Sequence, residues 1–444
     1  MRDIAIVLIV AGALPMILAR PHIGILVYSW ISYMSPHRLT WGFAYDLPFA
    51  QVTSLATVVA LFFSKEPKRF PWTGVTAVWI LFILWVSITT YFAVDTPESL
   101  VALEKFFKVQ FMIMLTLVLI VTRERLIALV WVIALSLGFY GIKGGLFAIR
   151  TGGEARVWGP EGSFISGNNE VGLALIMILP LFRFLQMQKV RPIIWWGLTG
   201  SMGLIALAIL ATRSRGAMLA LVAMTFFIWL KSQQKMRVGL VLLIISPVML
   251  MAMPQSWWDR MESLKNYEQD NSAMGRLTAW EFAIDMASNR FTGGGFNSFV
   301  EENYRRYSPN LTTEIMQRDG RFQGAHSIYF SVLGEHGFIG IILFLLLGIL
   351  AFRVGSWVIV NTRGSPELIW ANNLAAMVQV SIVGYAVGGA FLGLAYYDLY
   401  YNLIAILVLT KIIVQREINP DKNRVAIQPG LMSARGQKVG YMHD

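Results

Sequence analysis

The chain has 444 residues, of which 56% are hydrophobic and 14% charged, with a mean hydropathy of +0.58 and a net charge of +11. Apolar runs long enough to cross a roughly 30 Å hydrocarbon core recur along it, which excludes a soluble globular protein and an alternating-strand barrel and predicts an all-α polytopic membrane protein. Cysteine is absent, so disulfides, thiolate catalysis and zinc-thiolate sites are excluded, and the positive charge reads as topological bias rather than nucleic-acid binding.

The first apolar run, residues 4–19, lacks an Ala-x-Ala-like cleavage site and leads directly into a second, so it is read as a retained helix. Further runs cover residues 22–34, 48–64, 74–93, 105–121, 125–149, 169–188, 192–212, 216–230, 237–254, 337–360, 369–393 and 397–415. The first two are short and joined by Arg20-Pro21, so they either form a hairpin that does not span twice or cross separately, and about 12 transmembrane helices, 12 or 13, are expected from these segments. Lys65, Lys68 and Arg69, then Arg123 and Arg125, Lys189 and Arg191, and Lys231, Lys235 and Arg237 occupy alternate connections, which places those connections in the cytoplasm.

The remaining connections then share the periplasmic face. They include residues 94–104, the Gly-rich 151–169, the tight Arg213-Ser214-Arg215-Gly216 turn and a long loop before Gly324. The organisation expected is residues 1–254 as N-terminal transmembrane helices, 255–323 as a periplasmic loop, 324–415 as C-terminal transmembrane helices and 416–444 as a disordered cytoplasmic tail. Within the loop, Leu277, Trp280, Ala283, Ile284 and Ala287 recur at helical spacing between Gly275 and Arg290, which predicts an amphipathic helix that Gly293-Gly294-Gly295 stops.

Chemistry-bearing residues gather on this predicted face. His326 stands where the loop re-enters the membrane, and an imidazole there can be tuned to act as a general base. Ser327 is placed to cap the following helix, and Tyr329, three positions from His326, is expected to share its face. Glu335 falls two to three turns further on, placed to orient or pair with a buried group, while His336 has no evident task. Arg213 and Arg215 run against the positive-inside bias, so a negatively charged ligand explains them better than snorkelling, and Arg276 can add a third cation from the loop helix. The chain has no Asp-x-Asp pair, His-Glu-x-x-His, Walker loop or Gly-x-Ser-x-Gly elbow, which disfavours metal-dependent, nucleotide-driven and serine-nucleophile chemistry. A transporter would place ionisable groups near the middle of several spans, whereas these cluster at one face.

Three groups of residues resemble the O-antigen ligase family, which includes O-antigen polymerases and pilin O-oligosaccharyltransferases. They are Thr212-Arg213-Ser214-Arg215-Gly216, then Gly275-Arg276-Leu277 with Trp280 and Gly293-Gly294-Gly295-Phe296, then His326-Ser327-x-Tyr329 with Glu335-x-Gly337. Where the family usually has Asn after the histidine, this chain has Ser327. A narrower resemblance, to exosortase A-associated O-glycosylation ligases, rests on residues 36–42, Gly141-Ile142-Lys143-Gly144-Gly145, and Trp158-Gly159-Pro160 with Asn168-Asn169-Glu170. The family resemblance implies a C-type glycosyltransferase fold and a metal-independent inverting transfer, without a cofactor. A glycan would move from undecaprenyl diphosphate to an acceptor hydroxyl, on lipid A-core or protein, at the bacterial inner membrane. It implies His326, Arg215 and Arg276 as catalytic residues, with Arg213, Tyr329, Asn168, Asn169, Arg321 and Glu335 binding substrate.

Overall fold

Where lipid replaces water, each peptide group must find its partner within its own segment, so long apolar runs fold as helices. The computed structural model describes all residues except 233, 252, 256, 259–270, 319 and 419–444. Its regular elements are helical throughout the described residues. They begin with α1 (Arg2–Ala19), α2 (Pro21–Met34), α3 (Phe49–Phe63), α4 (Gly74–Tyr91), α5 (Thr96–Leu119) and α6 (Arg123–Arg150). There follow α7 (Asn168–Gln186), α8 (Pro192–Ala211), α9 (Arg215–Lys231) and α10 (Lys235–Met251). Three helices, α11 (Asn271–Asn289), α12 (Glu301–Tyr307) and α13 (Pro309–Arg318), lie outside this series, and α14 (Ile328–Asn361), α15 (Ile369–Gly389) and α16 (Asp398–Ile418) complete the bundle.

Seven of the described helices are long and apolar enough to cross a membrane: α1, α4, α6, α7, α8, α14 and α16. The chain is therefore an all-α multi-pass membrane protein. The expectation of about 12 spans exceeds this number for local reasons. Helices α2, α3, α9 and α10 have only 14, 15, 17 and 17 residues, and α5 carries Glu98, Glu104, Lys105 and Lys108. The disordered tail expected over 416–444 lies, from residue 419 onward, outside the described residues.

The interior is built around α7 and α16, whose most apolar windows are 78% and 83% buried; helices apolar on every side belong inside a bundle. Around them α6 meets α8 at Gly141, Gly144 and Gly145. A Cβ on Gly145 would stand 2.3 Å from the Leu204 carbonyl oxygen, so these glycines set the approach of two backbones. At one end of the bundle Arg125 donates to both carboxylate oxygens of Glu66, at 2.6 and 2.8 Å. The other end carries the cap made by α11, α12 and α13.

The cap has its own small core of Phe282, Met286, Tyr304, Leu311 and Ile315, with the Phe282 and Tyr304 rings stacked 3.9 Å apart. Here the structure corrects the expected stripe on α11. Thr278, Ala279, Phe282, Ala283, Met286 and Ala287 face inward, while Leu277 and Ile284 are exposed. The helix is held on two sides, by α14 and by α12–α13, so its buried face is set by those partners rather than by one apolar line.

Candidate functional site

The α8–α9 turn places the first cations. Arg213 adopts a left-handed φ of 54°, and its Nη2 donates to the carbonyls of Gly153 at 3.0 Å and Glu154 at 2.5 Å, tying the turn to the 151–167 loop. Asn168 Nδ2, buried at the start of α7, donates to the Thr212 carbonyl at 2.9 Å. Ser214 caps α9 by accepting from the Ala217 amide at 3.2 Å, which sets Arg215 as the first helical residue, half-buried. Arg213 and Asn168, expected to bind substrate, thus hold the turn that presents Arg215. Asn169 lies half-buried beside Asn168.

Helix α11 brings Arg276 and Trp280 toward the segment that precedes α14. The Trp280 indole donates to the Ala325 carbonyl at 2.8 Å and stacks on Phe330 with ring centroids 4.8 Å apart. Ala325 is buried, and the next residue, His326, is held at a left-handed φ of 43°. Strain of this kind in a residue with a side chain costs about 1–3 kcal/mol and concentrates at functional sites. Burial and the Arg276 cation hold the His326 imidazole below its usual 6.5, with the Glu170 carboxylate acting in the opposite direction. The geometry therefore joins Arg276, Glu170 and His326 electrostatically. Arg321, five residues before His326, is exposed.

Because His326 precedes the helix and has left-handed backbone, the helical spacing that put Tyr329 on its face does not apply. The Tyr329 hydroxyl instead donates to the Ala386 carbonyl on α15 at 2.8 Å. Ser327 occupies the N-cap position of α14 but makes no capping bond with its side chain.

Helix α14 is broken at Gly337, where φ is 67° and ψ is −171°, and the glycine run fits into the break. The amide of Gly294 donates to Gly334 at 2.8 Å and that of Gly295 to Glu335 at 2.9 Å. The run that appears in sequence as a helix stop is thus a backbone stitch between cap and bundle. Glu335 lies beside it and accepts from the Asn297 amide at 3.0 Å and the Tyr396 hydroxyl at 2.6 Å. His336 is fully buried, with Nδ1 2.7 Å from Thr89 Oγ1 and its carbonyl accepting from Trp85 at 2.8 Å; it locks α14 to α4.

The connection between α15 and α16 links these parts. A Cβ on Gly393 would lie 3.6 Å from His326 Cα, Phe391 packs toward Trp280 with centroids 6.2 Å apart, and Tyr396 reaches Glu335. Sequence reasoning assigned no role to Glu170 or Tyr396. Glu170 was visible within a quoted motif, but only the fold brings it near His326. Among the described residues, no three His, Asp or Glu side chains gather as a metal ion would require.

A helical membrane bundle whose capped end gathers arginines, a strained histidine and a buried carboxylate defines a multi-pass membrane protein with a polar site at one boundary. Residues 200–345 match the family described as O-Antigen ligase, a span that contains Arg213, Arg215, Arg276, Arg321, His326, Tyr329 and Glu335. That match spans about a third of the chain, and the O-antigen ligase domain it marks supports a ligase- or polymerase-type glycosyltransferase role in a membrane, with a lipid-linked glycan as donor. Residues 1–190 match a family of unknown function, DUF5935. No curated protein matches the chain.

Proposed function

We propose that this protein ligates a glycan from undecaprenyl diphosphate to a hydroxyl of lipid A-core, at the periplasmic face of the bacterial inner membrane, with a C-type fold of about 12 spans. The observation that carries the reading is the docking of the Arg276 helix on the His326 segment through Trp280. A diphosphate leaving group needs cations, and an acceptor hydroxyl needs a base. Neutral His326 takes the hydroxyl proton as the acceptor oxygen bonds to the anomeric carbon. The bond from that carbon to the phosphate oxygen breaks on the opposite face, which inverts the configuration. Arg215 and Arg276 take up the charge of the departing diphosphate, while Asn169 and Arg321 contact the substrate near the rim. The activated diphosphate drives the transfer, so neither metal nor nucleotide enters.

The test is transfer in proteoliposomes from lipid-linked glycan to lipid A-core. His326→Ala is expected to lose about 100- to 10,000-fold in rate, the worth of a positioned base, and Arg215→Ala to lose transfer while still inserting into the membrane. Full ligation by a well-expressed His326→Ala variant refutes the base assignment. A chelator leaves the rate unchanged, whereas inhibition reversed by one metal contradicts the mechanism. In cells lacking the gene, lipid A-core without polymer and accumulated lipid-linked glycan support a ligase, while single attached repeats indicate a polymerase.

A further inference from the structure

Two adjoining cavities lie on the capped end, outside the His326 centre. The larger, about 450 Å³, is lined among others by Glu335, Asn297, Phe296, Tyr396, Lys105 and Phe164. The smaller, about 200 Å³, begins at the same Lys105 and Phe164 and continues to Arg38, Tyr33, Tyr397 and Asp398. The connection between α15 and α16 runs along all of this, from Gly393 beside His326, through Tyr396 at Glu335, to Tyr397 and Asp398.

The far cavity is built of buried polar groups. Asp398 is 5% exposed and accepts from Ser32 Oγ at 2.7 Å. Asn402 Nδ2 donates to the Tyr33 hydroxyl at 2.6 Å. The Tyr397 hydroxyl is buried, at 3% exposure, and has no hydrogen-bond partner among the described residues. The large majority of buried side-chain polar atoms are paired, so an unpaired hydroxyl on Tyr397, a residue of the cavity wall, leaves a hydrogen bond for a ligand to complete.

Charge narrows the ligand. The two cations at the cavity walls are already engaged, Arg38 with Asp46 at 3.2 Å and Lys105 over the Phe164 ring at 4.0 Å. The buried groups between them, the Glu335 and Asp398 carboxyls, add no positive charge with which to hold a phosphate or another anion. Carboxylates and hydroxyls that accept and donate, set against aromatic faces, suit the hydroxyls and C–H face of a sugar. We propose that the two cavities form a saccharide-binding groove, with one sugar subsite at Glu335–Tyr396 and a second at Tyr397–Asp398. The inference rests on the glycan-transfer reading above. The sugars belong either to the donor glycan or to the acceptor core, since both present the same chemistry.

The absence of cysteine from the chain makes the groove testable in the full-length protein. A cysteine introduced by Phe164→Cys is labelled with a maleimide in nanodiscs, with Lys68→Cys at the opposite end as control. The probes are delipidated core oligosaccharide and, separately, O-glycan freed from its lipid carrier. Protection of Phe164→Cys but not Lys68→Cys by the first assigns the groove to the acceptor, and by the second to the donor. Adding Tyr397→Phe removes only the orphan hydroxyl, so the melting temperature holds while protection weakens and the KM of the protecting partner rises about threefold to tenfold, the worth of one hydrogen bond. Protection by neither oligosaccharide overturns the groove whether or not transfer is observed, as does a Tyr397→Phe variant with unchanged KM for both substrates. Protection without any transfer by the unmodified protein leaves the groove standing and refutes the reaction.

Discussion

Replacing Gly337 with alanine tests the stitch that joins cap to bundle. A φ of 67° with a ψ of −171° belongs to a region essentially restricted to glycine, and a side chain there costs about 1–3 kcal/mol. The added Cβ would stand 2.4 Å from the Phe291 carbonyl oxygen and 3.3 Å from the Gly293 amide nitrogen. Both are backbone atoms that cannot swing aside, so overpacking adds about 1–3 kcal/mol. The expected destabilisation is therefore about 2–6 kcal/mol. Equilibrium unfolding in mixed micelles measures it against Gly200→Ala in α8, where no heavy atom lies within 4 Å of the new Cβ and alanine gains up to about 1 kcal/mol in helix propensity. Gly337→Ala unfolding within about 0.5 kcal/mol of the unmodified protein, the range of an inert surface change, would refute the reasoning.

The surroundings of His326 predict a pH dependence. Its imidazole titrates below 6.5 through burial and the Arg276 cation, so the neutral base persists at pH 7 and the acid limb of the transfer rate falls below 6.5. Glu170→Gln removes the charge that raises this value and moves the limb to lower pH; Arg276→Gln removes a charge that lowers it and moves any residual activity's limb higher. A shift of the limb upward in Glu170→Gln would contradict the assignment. Arg213→Ala, which loses two charge-assisted bonds to the 151–167 loop, is expected to cost about 1.5–3 kcal/mol in stability and to expose that loop to protease. Arg215→Ala instead raises the KM for donor, a contrast that steady-state kinetics on both variants resolves.

The helices were largely legible, because lipid enforces internal backbone pairing, but their starts were less so where polar residues open them: the segments expected from 105 and 337 begin at Thr96 and Ile328. The expected segment 74–93 is Gly74–Tyr91 and 125–149 is Arg123–Arg150. What needed the fold were relations between distant segments. The period of α11 predicted a helix but not its buried face, because Phe282 and Met286 answer to Tyr304 and Leu311 in the cap. The glycine run announced a break, yet its partners at Gly334 and Glu335 are some 40 residues away by sequence number. The residues expected at the site divide in the same manner. Their gathering at one end follows from chain parity, whereas the left-handed φ that separates His326 from the face of Tyr329 leaves no trace in residue spacing.

Several of the bonds that hold the site together run from a side chain to a main-chain carbonyl: Trp280 to Ala325, Asn168 to Thr212, Arg213 to Gly153 and Glu154. A carbonyl survives any substitution of the residue that carries it. Loss of a donor side chain therefore breaks its bond, whereas a receiving residue keeps the bond for as long as its backbone holds, which at Gly153, with a left-handed φ of 77°, itself requires glycine. The frame around His326 is thus written largely in main-chain atoms, so its shape depends on the path of the backbone more than on the identity of the side chains that line it.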